Sequence, residues 1–537
     1  MGSSQSAVAK AIKTTLGNDS DLYAFPGDPL YKLRDAKPYN LDIQVKPAAV
    51  TYPKTKEQVS AVVRAAVQNG CKVQARCGGH SYANYCIGGI DGAVVIDLKH
   101  FQQFSMDRKT WRATIGGGTL LGDVTKRLHD AGKRAMSHGT CPQVGIGGHA
   151  TIGGLGPTSR QWGSALDHVV EVEIVLADSS IKRCSETQNS DIFWAVKGAV
   201  ASFGVITEFV VRTEPEPGEA VEFSFSFHFG KYASMAPIFK AWQKFVADPT
   251  LTRKFTSGLV FTEMGMVISG TFFGTEKEYD KLNMDSRFPG KQDKKTIVFK
   301  DWLGLVGHWA EDFALQIGGG LPAPLYTKSL AFNGCNLIPD EAIDKILTYM
   351  DKAKKGTLIW FVIFDLEGGA INDVPQDATA YAHRDALFYM QSYAVGVPKV
   401  SNTTKNFLRG LSNVVKDGMP GGGDFGAYAG YVDPELPNGQ QAYWGTNLPR
   451  LEAIKGVVDP GDVFWNPQSV KLAVGSSITE RRSHAKANGN GSVNTNAVGG
   501  VDVAANASRN PGEPLEKGKG AEKPKQSFLE KFRSCFA

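Results

Sequence analysis

No stretch of about 18 consecutive apolar residues occurs in this chain, so no segment reads as a membrane-spanning helix. Its first residues, MGSSQSAVAKAIKTTLGNDSDLYAF, lack the apolar core of a secretory signal, which sets the expectation of an intracellular, cytoplasmic protein with reduced thiols. Cysteine is sparse: the seven, at 71, 77, 86, 141, 184, 335 and 535, are an odd number in a long chain, and none of their spacings suits zinc. Neither a small disulfide scaffold nor a metal site is expected. Charge is also thin, with 59 Lys and Arg against 54 Asp and Glu and a net charge of +5. Because the basic residues are spread and not massed, a nucleic-acid groove is not expected. There is no P-loop, no HExxH and no GxSxG. The one G-x-G-x-x-G match, Gly421 to Gly426, follows Lys-Asp-Gly-Met-Pro where a dinucleotide site needs a strand, so it reads as a loop.

What the chain does have is length and glycine. Its 537 residues, 42% hydrophobic and 10% aromatic, suffice for two or three domains with sizeable cores. The 60 glycines gather in loops. The densest is Ser137 to Gly156, SHGTCPQVGIGGHATIGGLG, with seven glycines, two histidines and a cysteine but no charged residue. A loop of that kind lets backbone amides approach an anionic ligand such as a pyrophosphate. A flexible linker is the plain alternative, but the run stands shortly before a strand-like apolar segment, Val169 to Leu176. A second glycine-rich loop, Cys77-Gly-Gly-His80-Ser-Tyr82, also carries one reactive side chain. A lone histidine or cysteine is more often structural. In irregular glycine-flanked segments both become candidates for ligand contact.

Along the chain, residues 1–40 read as a polar lead-in, in which Met1-Gly2-Ser-Ser-Gln-Ser6 fits the N-myristoylation pattern and would allow membrane association. The fold is expected to begin near Pro47. Thr55 to Gln58 has the form of a capping box, and Gly70 stands where a terminal glycine belongs, predicting a helix over 56–69. Strands are expected at 71–77, 93–98, 112–115 and 169–176, interleaved with helices to about residue 213. After Glu214-Pro-Glu-Pro-Gly218, the period-two run VEFSFSFHF (221–229) predicts a half-buried antiparallel strand, with more at 258–273 and 357–366 and helices near 232–247 and 340–354. Residues 475–537 turn to Ser, Asn, Gly, Ala and Lys, a composition expected to be disordered.

The segments RCGGHSYANYCIGG, SHGTCPQVGIGGHATIGGLG, DIFWAVKGAVASFGVITEF and YWGTNLPRLEAIKGVVDPGDVFWNPQSV together resemble FAD-linked oxidases of the vanillyl-alcohol-oxidase superfamily, in the berberine-bridge-enzyme-like branch nearest the fungal glucooligosaccharide oxidases. The resemblance runs from about residue 40 to 474. It implies an α+β fold: a PCMH-type FAD-binding domain of two α/β subdomains (41–215), a substrate domain with a large antiparallel sheet backed by helices (216–440), and a C-terminal segment returning to the FAD domain (441–474). It further implies FAD held bicovalently, through His80 at the flavin 8α position and Cys141 at ring carbon 6. Arg76, Cys77, Gly78, Gly79 and Ser81 would wrap the pyrophosphate. Thr140, Val144, Gly145, Gly147, Gly148, His149, Gly153 and Gly154 would line the flavin and its phosphates, with Val205 and Ile206 toward the adenine and Asn447 and Gln468 from the returning segment. One departure is Gly198-Ala-Val-Ala-Ser202, where the family usually has consecutive glycines.

Oxidising an alcohol requires a base within reach of the hydroxyl while hydride leaves the adjacent carbon. By resemblance that base is Tyr431 of Tyr428-Ala-Gly-Tyr431-Val-Asp433, assisted by Asp365, with Tyr82 lining the cleft. A tyrosine in such a place is otherwise an amphipathic core residue. A carboxylate ending an apolar strand is harder to dismiss, because burying it without a partner is costly. The strand positions that in glucooligosaccharide oxidases carry a tryptophan and a glutamine facing the sugar are matched here by Phe361 and Ile363, and Gly430 replaces an asparagine. Gln391 and Tyr428 are the remaining substrate-lining candidates. The expected activity is oxidation of an alcohol or sugar hemiacetal carbon, oligosaccharide to lactone, with oxygen reduced to hydrogen peroxide. The alternative is oxidation or oxidative cyclisation of a less polar secondary metabolite. A third reading, a membrane-associated scaffold, leaves His80 and Cys141 without a use.

Overall fold

The computed structural model describes residues 3–473 except 229, 318–320 and 423–424. The myristoylation site at Gly2, the tail over 475–537 and part of the Gly421–Gly426 match lie outside the described residues.

The first sheet has four strands, β1 (Tyr23–Ala24), β2 (Ala49–Thr51), β3 (Val73–Arg76) and β4 (Val94–Asp97), ordered β1-β2-β4-β3. β2 and β3 run parallel to β4, and β1 runs antiparallel to β2. The parallel connection between β2 and β3 is helix α2 (Lys56–Gln68), started by the Thr55 side chain accepting from the Gln58 N–H and closed by Gly70 at φ +67°. The second sheet draws on β5 (Phe104–Asp107), β6 (Arg112–Gly116), β8 (Val169–Val175), β9 (Ile181–Ser185) and β10 (Val205–Arg212), all antiparallel in the order β5-β6-β10-β8-β9, while β7 (Arg134–Ala135) pairs with β11 (Glu214–Pro215).

The third sheet is the largest: β12 (Ala220–His228), β13 (Gly258–Thr262), β14 (Gly265–Phe272), β15 (Asp293–Phe299), β16 (Leu325–Asn333), β17 (Trp360–Leu366) and β18 (Ala386–Val395), antiparallel in the order β15-β12-β14-β13-β17-β18-β16. The run expected as strand over 258–273 is the hairpin β13–β14. Trp360, Val362 and Phe364 point to one face and pack with Phe239 and Trp242 of helix Ala236–Val246, Ile346 of helix Asp340–Lys352 and Leu408 of helix Asn402–Gly418. The other face of the same strand carries Phe361, Ile363 and Asp365, because strand side chains alternate. Those helices cover the first face and leave the second for the site. The architecture is α+β.

The N-terminus corrects the expectation of a polar lead-in. Helix α1 (Ser3–Leu16) is folded, and Val8, Ile12 and Leu16 enter one core with Val59, Val62 and Val63 of α2. Asn40 ties this region to the rest by donating to the carbonyls of Tyr82 (2.8 Å) and Leu325 (3.0 Å). The fold therefore begins well before Pro47.

Candidate active site

Two glycine-rich loops meet. A Cβ on Gly78 would lie 2.5 Å from the Gln143 carbonyl oxygen, and one on Gly145 would lie 2.2 Å from Cys77 Sγ, so neither position has room for a side chain. This close approach lets both reactive residues face Gln143. The Cys141 thiol contacts Gln143 Oε1 at 3.3 Å, and the His80 imidazole bonds to the Gln143 backbone. Burial holds His80 down to about 4, so its ring is neutral and nucleophilic at neutral pH. Cys141 is 7% exposed and its thiol is raised by burial, with the Gln143 and Val144 amides pulling the other way. Among the described residues, the N–H groups of Gly79, His80, Thr140 and Cys141 donate to no acceptor. Uncommitted amides flanking two nucleophiles suit a phosphate-bearing group that is also covalently attached, so the residues present fit FAD.

Tyr39, which lies within the lead-in expected over 1–40, packs its ring at a tilt against His80 at 4.8 Å and stacks on Tyr82 at 5.9 Å. Only the tertiary path of residues 39–40 brings it there, so no local pattern marks it. Tyr82 in turn accepts from Gln391 Nε2 at 3.4 Å, which joins the His80 loop to β18.

The proposed acid–base pair is in contact: Tyr431 Oη donates to Asp365 Oδ2 at 3.1 Å. Burial raises the Asp365 carboxyl to about 6, against the Tyr431 hydrogen bond that favours its ionised form. Burial and the Asp365 and Glu367 charges push the Tyr431 phenol well above its ordinary value. Cross-strand register sets Ile363 opposite Gln391, Phe361 opposite Tyr393 and Asp365 opposite Tyr389. Phe361 and Tyr393 stack at 4.9 Å and form an apolar cluster with Ile363, Val260 and Val395. The Tyr393 hydroxyl is buried and has no hydrogen-bond partner among the described residues. Tyr393 and Glu367 were both missed. Each stands two residues beyond a named candidate, Gln391 and Asp365, so period-two extension of the strands was the signal available.

Several of the residues expected at the cofactor also bond within the protein. Arg76 is turned inward, with Nε pairing Asp97 at 2.6 Å and Nη1 donating to the Asp35 carbonyl at 2.6 Å. His149 Nε2 accepts from the Gly139 N–H at 2.9 Å and braces the loop. Ser81 Oγ accepts from the Tyr85 N–H at 3.0 Å. Cys77 is half-buried with its side chain against the Gly145 region, and desolvation pushes its thiol up to about 12. Gly147 and Gly148 accept from the Thr151 hydroxyl (2.9 and 2.8 Å). Val205 and Ile206 put their side chains into two cores, which leaves only backbone for a ligand. Asn447 Nδ2 donates to the Gln376 and Thr379 carbonyls, and Gln468 bonds to Asp433 and Tyr443. Tyr428, 3% exposed, is no open pocket wall: its hydroxyl accepts from the Gly154 N–H at 2.9 Å and pins the glycine stretch to the third sheet.

An FAD cradle next to a Tyr–Asp pair defines a class, a flavin-linked oxidoreductase acting on CH–OH groups. Residues 47–185 match the model described as FAD binding domain, and residues 427–471 match berberine and berberine like. The chain is 39% identical over 469 residues to the FAD-linked oxidoreductase sorD of Penicillium rubens, covering 87% of this chain and 98% of that protein. It is 33% identical to the glucooligosaccharide oxidase of Sarocladium strictum, covering 81% and 90%. Among solved structures, a chitooligosaccharide oxidase superposes with a TM-score of 0.79 at 30% identity, covering 87% and 100%. The Acremonium strictum glucooligosaccharide oxidase, whose FAD is 6-S-cysteinyl and 8α-N1-histidyl, superposes at 0.78 and 30% identity, covering 87% and 99%. The chain belongs to the FAD-linked oxidoreductases of the berberine-bridge-enzyme-like family.

Proposed function

We propose that this protein is an FAD-dependent oxidase that takes hydride from an alcohol carbon, with the cofactor tethered through both His80 and Cys141. The single observation carrying the reaction is the Tyr431–Asp365 hydrogen bond on the sheet face that also bears Phe361 and Ile363. When bound, FAD supplies the hydride acceptor and hands the electrons to O2, giving hydrogen peroxide. The chain's own part is proton movement. A phenol held this far above its ordinary value is not a free base at neutral pH. Tyr431 instead takes the substrate hydroxyl proton as its own proton passes to the Asp365 carboxylate, which is ionised above about 6. The contacts of the Tyr39 ring with His80 and Tyr82 and the Gln391–Tyr82 bond hold the side of the cleft nearest the tether.

For the substrate, oligosaccharide oxidases among the relatives support a sugar hemiacetal carbon, oxidised to the lactone. A second reading, a less polar alcohol, is favoured by the Phe361, Ile363 and Tyr393 cluster beside Asp365. A sugar hydroxyl placed against that surface without a partner loses about 1–3 kcal/mol. A peroxide-coupled screen of mono- and oligosaccharides against lipophilic alcohols separates them. Turnover confined to saccharides supports the first, turnover confined to lipophilic alcohols the second, and no peroxide from any alcohol contradicts oxidase chemistry.

A further inference from the structure

Glu367 follows β17 directly, and its N–H still bonds to the Leu387 carbonyl oxygen at 2.7 Å, so the ladder continues through it. Its side chain therefore leaves the same sheet face as that of Asp365, two residues earlier. Glu367 is 5% exposed, and among the described residues its carboxyl is acted on by burial and by the Asp365 and Arg160 charges, with no hydrogen bond to it. Arg160 is the nearby cation, and two of its nitrogens are held by backbone: Nε donates to the Phe255 carbonyl at 2.8 Å and Nη1 to the Glu367 carbonyl. The other titratable groups facing Glu367 are phenols, Tyr381, Tyr389, Tyr428 and Tyr431, of which Tyr381 and Tyr389 bond to each other at 2.8 Å.

A buried carboxyl, Glu367, and a half-buried one, Asp365, on one strand face cannot both ionise cheaply. The one whose charged form receives a hydrogen bond ionises first, and that is Asp365, which accepts from Tyr431. We propose that Asp365 and Glu367 act as one carboxyl pair holding a single proton at neutral pH, with that proton on Glu367, and that this is what leaves Asp365 ionised to accept from Tyr431. Glu367 is then a positioning residue: it touches neither the substrate hydroxyl nor the leaving hydride, and it acts through Asp365. Burial and the Asp365 charge both raise its carboxyl, and Arg160 opposes them. The proposal rests on the reading of Asp365 as proton acceptor.

Infrared difference spectroscopy of the holoenzyme tests it without turnover. Subtracting the spectrum of Glu367→Gln from that of the wild type cancels the flavin carbonyls and leaves the carboxyl of residue 367. The expected result is a protonated-carboxyl band at neutral pH that is lost in Glu367→Gln and displaced, not lost, in Glu367→Asp. In Asp365→Asn, which removes the neighbouring charge, the same band should titrate at lower pH by about one unit or more. Absence of the band at neutral pH overturns the proposal, as does an unchanged titration in Asp365→Asn. Because no substrate enters, failure here is distinct from failure of the alcohol-oxidase reading, which the peroxide screen reports.

Discussion

At the residue scale the account stands on two contacts, Gln143 joining His80 to Cys141 and Tyr431 joining the cleft to Asp365. Removing the phenol by Tyr431→Phe should lower kcat by about 100- to 10,000-fold, the range a positioned acid–base group contributes, with KM changing far less. The pH dependence has a definite sign. Asp365 accepts a proton only when ionised, and its carboxyl is raised to about 6, so kcat/KM should rise with pH through about 6 and then level off. Asp365→Asn should abolish that limb along with most of the activity. A profile flat from pH 4 to 8 would remove Asp365 from the mechanism. His80, Cys141, Asp365 and Tyr431 were legible because each sits in a motif with a chemical reason. Tyr39 and Glu367 were not, since one reaches the site through the chain's tertiary path and the other lies just past the apolar run that marked β17. Arg76, Asn447 and Gln468 carry bonds to other parts of the protein. A polar residue beside a cofactor motif can be spent on holding the loop, as the Arg76–Asp97 pair shows.

At the scale of elements, legibility followed how one-sided the burial is. β12 alternates in sequence because it alternates in burial, one face on the core and one off it. β18 is buried along nearly its whole length, and its mixture of Phe, Met, Gln, Ser and Tyr has no period-two signature. Helix α1 reads as polar in sequence because, among the described residues, its buried side chains are Val8, Ile12 and Leu16, one per turn, with Ala9 and Ala11 partly buried beside them. A single buried residue per turn still matters energetically. Ile12→Ala should destabilise by about 2–5 kcal/mol, the cost of emptying a fully buried branched site. Thermal denaturation checks this, and an unchanged midpoint would mean that α1 is not part of the cooperative fold.

At the scale of the molecule, the site is made where long-range contacts bring distant segments together. The Gly154 N–H donates to Tyr428, and Arg384 pairs both of its terminal nitrogens with Asp167 in a buried ion pair. Motif order made the class of chemistry readable, because loops from residues 76–82 and 137–156 can only serve a cofactor if they converge. Their convergence on Gln143 and the apolar cluster of Phe361, Ile363 and Tyr393 are properties of packing and were out of reach of spacing. The oxidase reading centres on a flavin held at His80 and Cys141. The most direct measurement is acid precipitation of the purified protein, followed by the flavin absorbance of pellet and supernatant. The account predicts that the colour stays in the pellet for the wild type and for His80→Ala and Cys141→Ala singly, and leaves it only in the double variant. Flavin released into the supernatant from the wild type, or from either single variant, would contradict attachment at two points.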